Sequence, residues 1–237
     1  MSQFKLEKRL PSCTVSKDLL KELETYLLAK AKTLSGGEDL EDRHFRVCIH
    51  DDLGVEAVSN VESVPGRQFL DSTNQVTLDL DLRYGKLAFP LQVEVRFDKD
   101  RTFSRLTVSY TGDDARAVVA GLHDGIMRLI LSAKNGNVFF NPSPFLEGAL
   151  WGGCSLSLLL SSIVAKVMPT VFAVGAFVIA LTFIYLIAGK RLRPYTAFDS
   201  PTTDRNSKLA DWFVYGLAGF VLFGSLLAVV RRSYFGF

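Results

Sequence analysis

Leu91-Gln92-Val93-Glu94-Val95-Arg96-Phe97, then Asp98-Lys99-Asp100-Arg101, then Ser104-Arg105-Leu106-Thr107-Val108-Ser109-Tyr110, is the stretch whose reading decides the fold. Apolar side chains fall on every second position of both runs, with charged or hydroxyl side chains between them. Period two places one side of a strand against a core and the other in water, the habit of antiparallel sheets. The short polar break predicts a hairpin. The same alternation occurs in Phe45 to His50 and in Val76 to Leu82, and Tyr84-Gly85-Lys86 separates the latter from Leu91.

Helical spacing flanks these four strands. Ser16 is a candidate N-cap, Asp18 suits the first turn, and Leu19, Leu20, Leu23, Tyr26, Leu27, Ala31 and Leu34 line one face until Ser35-Gly36-Gly37. After Thr111-Gly112, Asp113 and Asp114 suit a helix start, read as capping. Ala115, Val118, Val119, Leu122, Ile126, Leu129 and Ile130 then form a stripe ending before Asn135-Gly136. The segment Leu53 to Thr73 reads as a short helix near Val55 to Ser59 and a loop at Pro65-Gly66. The order predicts an α+β fold: a two-layer sandwich of an antiparallel four-stranded sheet with two helices on one face, followed by a C-terminal transmembrane helical region. The other sheet face would carry Arg46, Asp79, Asp81, Glu94, Arg96, Arg105 and Thr107, a mixed-charge surface suited to a protein or polar ligand, with a merely solvated face as the plain reading.

Two apolar runs, Val167 to Gly189 with no charged residue and Ala210 to Val230 with Asp211 alone, each match the roughly 20 helical residues that cross a hydrocarbon core. The expected organisation is an α+β domain over 1–138 and a proline-containing linker over 139–145. An apolar re-entrant, interfacial or third membrane segment covers 146–166. Transmembrane helices cover 167–189 and 210–230, with a basic loop over 190–209 and a short tail over 231–237. Two spans alone would place Lys190, Arg191, Arg193, Arg205 and Lys208 opposite a cytoplasmic domain, against the positive-inside rule; a third span restores it. Met1 to Arg9 lacks the apolar core of a signal peptide, so the expectation is a multi-pass integral membrane protein whose domain faces the cytoplasm. Ala176 and Ala180, and Gly224 and Ala228, are small residues at helical spacing that suit close helix packing or a homo-oligomer.

Composition excludes several chemistries. The net charge of +2 argues against nucleic acid as a partner. Cys13, Cys48 and Cys154 are far apart and form no CxxC pair, so neither a disulfide framework nor a structural zinc site is expected, and no cofactor is. His44 and His50 lie six residues apart on one strand, roughly 20 Å, too far to share a metal. His50-Asp51-Asp52 at a strand end is the one polar candidate for a ligand cluster or an acid/base pair, with a polar strand exit as the plain alternative. His123 and Asp124 are adjacent on a helix and read as structural. No phosphate-loop, dinucleotide-binding, zinc-protease or nucleophile-elbow motif occurs. The functional expectation is a membrane-anchored, non-enzymatic module whose α+β domain binds a protein or small molecule and whose helical hairpin meets the lipid bilayer. The alternatives are a signal-gated effector that oligomerises in the membrane, and a membrane-bound enzyme with its site near His50 to Asp52.

Overall fold

The computed structural model describes residues 2–35, 43–64, 66, 68–84, 87–164, 169–203, 205–209, 211, 212, 215, 216, 219 and 223. Its strands and helices, in chain order, are β1 (Ser2–Arg9), β2 (Thr14–Val15), α1 (Lys17–Leu34), β3 (Arg43–Asp51), β4 (Gly54–Val58), β5 (Gln75–Tyr84), β6 (Leu87–Asp98), β7 (Arg105–Gly112), α2 (Ala115–Ser132), α3 (Pro144–Val164), α4 (Pro169–Leu192) and β8 (Ala197–Phe198). A short 3-10 turn at Asn137–Phe140 links α2 to α3.

The sheet has six strands in the order β1-β7-β6-β5-β3-β4, not the four expected, and every neighbouring pair is antiparallel. The predicted hairpin is present: Leu91 opposes Tyr110 and Val95 opposes Leu106. The two additional strands are the edges. β1 lines up with β7, and β4, where a short helix was expected, pairs with β3 from Val47–Val58 to Asp51–Gly54.

Val47, Ile49, Val76, Leu78, Leu80, Val93, Val95, Phe97, Leu106 and Val108 project from one face of the sheet into a single core. Leu20, Leu23 and Leu27 of α1 and Val119, Ile126 and Ile130 of α2 complete it, giving the α+β layering expected. Ser16 caps α1, its Oγ accepting from Leu19 N at 3.2 Å. Asp114 precedes α2 with φ +55 and makes no side-chain cap bond, so the capping expected there comes from its carbonyl, which accepts from Ala117 N and Val118 N. On the opposite sheet face Arg105 sits between Glu7 at 3.6 Å and Glu94 at 3.8 Å, and Arg96 lies 3.6 Å from Asp98. The Arg105 pairs cross from β7 to β1 and to β6, while Arg96 and Asp98 are neighbours along β6.

The stretch after α4 returns to the domain. β8 pairs in parallel with β2, Ala197 N donating to Cys13 O at 3.0 Å and Asp199 N to Val15 O at 2.9 Å. Phe198 enters the core and meets Phe69 edge-on at 5.7 Å. Tyr195 Oη donates to Leu10 O at 2.8 Å, and Ser104 Oγ lies 3.2 Å from Thr196 Oγ1. Residues 195–200, within the segment read as a basic loop, are therefore part of the α+β core.

Among the described residues one helix, α4, is long and apolar enough to cross a membrane, over Gly175–Leu192. This overturns the multi-pass, cytoplasm-facing arrangement expected. Most of the run 210–230, with Gly224 and Ala228, lies outside the described residues.

Candidate functional site

His50, Asp51 and Asp52 lie at the exit of β3, and the structure uses them to build a turn. Asp51 Oδ1 accepts from Leu53 N at 2.8 Å and from Gly54 N at 2.9 Å, an Asx-type closure. Asp52 Oδ1 accepts from Asn74 Nδ2 at 2.8 Å, and His50 O accepts from Asn74 N at 2.8 Å. The three side chains do not converge on a common point, and no group of three or more metal-ligating residues occurs among the described residues. Asp52 does lead elsewhere: Asn74 Oδ1 accepts from Lys99 Nζ at 3.1 Å. Lys99 lies at the rim of a cleft that the sequence did not single out.

This cleft lies at the foot of α3 and α4. Ser143 starts α3, its O accepting from Glu147 N at 2.8 Å and its Oγ from Leu146 N at 3.3 Å, with Pro144 in the first turn where its missing N–H is harmless. α4 runs back antiparallel to α3. Lys190, near its C-terminus, donates to both carboxylate oxygens of Glu147 at 2.7 Å, and Trp151 meets Phe183 edge-on at 4.7 Å. Both ends of this helical hairpin are tied to the domain. Asn137 Nδ2 donates to Pro194 O at 2.9 Å, Asn141 Nδ2 to Arg193 O at 2.8 Å, and the Arg193 guanidinium lies 5.2 Å from the centre of the Phe140 ring. Arg193 also pairs with Asp211.

Away from this foot the described side chains of the hairpin are mostly apolar and uncovered, with Cys154, Ile179 and Leu186 buried among them. Phe145, Leu156, Phe177, Ile184 and Ile187 are exposed, and only 12% of Gly175–Leu192 is buried. Ala176 and Ala180 are also exposed on α4. A core helix of this composition would be buried; a run of exposed large apolar side chains marks a surface built to meet lipid or a partner.

The cleft has a volume of about 390 Å³ and is lined by Lys99, Asp100, Arg101, Thr102, Asn141, Pro142, Pro144, Glu147, Lys190, Arg191 and Pro194. Its charge comes from the β6–β7 turn on one side and the α4 terminus on the other. Asp100 Oδ1 is occupied by Thr102 N at 2.7 Å. Arg101 Nη1 donates to Asn141 O at 3.1 Å, and its guanidinium lies 5.7 Å from the centre of the Tyr195 ring. Burial pulls the Lys99 ammonium below its ordinary pKa, with Asp52 and Asp71 acting against the shift. Sequence reasoning treated Lys99 to Arg101 as a turn and Lys190 and Arg191 as loop charges. The signal available was Glu147, the one acidic residue in 145–189: a carboxylate on an apolar helix needs a cationic partner.

His123 is buried on α2. Its Nδ1 lies 3.1 Å from Asp124 Oδ1, so the neighbours do meet, and Nε2 is buried without a hydrogen-bond partner among the described residues. Comparison with protein-family models, with curated proteins and with solved structures finds no match to this chain.

Proposed function

We propose that this chain is a non-enzymatic binding or regulatory module, an α+β domain held at a lipid bilayer by α4 with α3 packed beside it. The supporting observation is the exposure of α4. It has 24 residues, about 36 Å of helix at 1.5 Å per residue, and its apolar side chains find little cover in the protein. Basic residues follow at its domain end, Lys190, Arg191 and Arg193, where a helix leaving hydrocarbon meets headgroups and water. The engagement of Asp51 and Asp52 in a turn supports a binding role over catalysis. The ligand of the domain is a protein or small molecule.

The test is flotation of the purified full chain with phosphatidylcholine vesicles, followed by quenching of Trp151 with brominated lipid in a Trp212→Phe variant that leaves Trp151 as the one tryptophan. Trp151 lies on α3 against Phe183 of α4, so insertion of α4 brings bromine to it. The expected result is co-flotation with strong quenching. Protein that stays at the bottom of the gradient with Trp151 unquenched removes the proposal.

A further inference from the structure

The basic cleft has a chemistry that anchoring alone does not use. Of its four cations, Lys190 is neutralised by Glu147, and Lys99 is held by Asn74 and by the carbonyl of Asp71 at 3.3 Å. Arg101 and Arg191 have no carboxylate partner among the described residues. Arg101 is moreover held in place, by Asn141 O on one nitrogen and by the Tyr195 ring over which its guanidinium lies, 5.7 Å from the ring centre. A guanidinium fixed in this way presents its remaining N–H groups as a prepared fork, the geometry that suits phosphate oxygens. The volume of about 390 Å³ falls within the roughly 300–1,000 Å³ of small-ligand sites.

Position narrows the choice of ligand. The cleft is formed where α3 begins and α4 ends, and exposed apolar side chains start within a turn of it, at Phe145 and Leu146 on one helix and Ile187 on the other. With α4 in hydrocarbon, the cleft at its C-terminal end lies at headgroup depth. We infer that the cleft, through Arg101, Arg191 and Lys99, takes a phosphate group presented by an anionic phospholipid headgroup. The inference rests on the anchoring proposed above.

The experiment is flotation of the full chain with vesicles of phosphatidylcholine alone and of phosphatidylcholine containing phosphatidylglycerol. A basic residue near an anionic surface is worth about fivefold in partition. Phosphatidylglycerol is expected to raise partition, and Arg101→Gln with Arg191→Gln to remove about 25-fold of that rise while partition to phosphatidylcholine is kept. Arg191→Gln alone, at an exposed position, gives about fivefold and guards against a folding defect at Arg101. Lys30→Gln with Arg128→Gln makes the same change in charge on the outer faces of α1 and α2 and is expected to retain the rise. Equal loss in both double variants, or no gain from phosphatidylglycerol, overturns the headgroup site and leaves the anchoring intact. Failure to partition into phosphatidylcholine overturns the anchoring, and the headgroup site with it. Stabilisation of the detergent-solubilised chain against heat by inorganic phosphate, without any by phosphatidylglycerol, assigns the cleft to a free phosphate and overturns the lipid source.

Discussion

Replacing Phe198 by alanine is expected to loosen the α+β domain far from where a membrane-proximal loop should matter. The ring is 2% exposed and packs on Phe69. A buried phenylalanine removes about 150–250 Å² from water, worth about 4–6 kcal/mol at 25 cal/mol per Å². Residual burial in the unfolded chain reduces this to about 3–4 kcal/mol, within the measured span of about 3–5 for such truncations. Cys13 is the natural reporter. Its carbonyl holds β8, its thiol is fully buried, and burial raises that thiol to about 12. Only the thiolate reacts, so alkylation waits for opening of the seam. With Cys48→Ser and Cys154→Ser in both proteins, Phe198→Ala should accelerate Cys13 alkylation about 100- to 1000-fold. Tyr195→Phe, which leaves Leu10 O without its donor, should give about fivefold. A surface loop would change the rate by no more than about twofold. That outcome for Phe198→Ala would refute the claim that residues 195–200 belong to the core.

Two further perturbations read other parts of the fold. A Cβ at Gly125 would stand 1.8 Å from Tyr26 Oη. Gly125→Ala should therefore displace the ring from the α1–α2 seam, overpacking of about 1–3 kcal/mol set against a helix-propensity gain of about 1. Adding Tyr26→Ala should relieve the strain, and additive denaturation energies across the cycle would contradict the contact. Asp79 is half-buried on the outer sheet face, and burial, then Glu94, raises its carboxyl above 3.8 while Arg46 opposes. The folded state keeps this proton longer than the unfolded state, so stability present at lower pH is lost as pH rises from 3.8 through the raised value. Asp79→Asn should flatten the urea midpoint across that window; an unchanged pH profile would mean the carboxylate is well solvated.

The four inner strands were legible because each buries a full face, so Val93, Val95 and Phe97 alternate cleanly with Gln92, Glu94 and Arg96. The edge strands carry less of that signal. β1 packs only Phe4 and Leu6 against the core, each partly, and β4 exposes Val55, Glu56 and Ala57. An edge strand recruits fewer apolar contacts, and Val-Glu-Ala-Val is equally readable as helix. β8 was illegible for a different reason. It is two residues long and is held by a parallel pairing with a segment some 180 residues earlier, as the Val15–Phe198 register shows, a relation that no local window contains. The His50 cluster was legible as polar, but its role depended on where Asn74 would lie. The cleft was missed because its two halves are separated in the chain and each resembles ordinary solvated charge.

The pairing of β8 with β2 has a consequence for how the protein is made. The domain's last core residue is synthesised after both helices of the hairpin. Between residue 138 and Phe198 the ribosome adds 60 residues, about 3–12 s at 5–20 residues per second. Throughout that interval Leu10, Cys13 and Val15 lack the strand that covers them, and Phe69 lacks its ring partner. The apolar helices thus leave the ribosome while the domain beside them is still unfinished, and closure of the domain waits for the hairpin to be made.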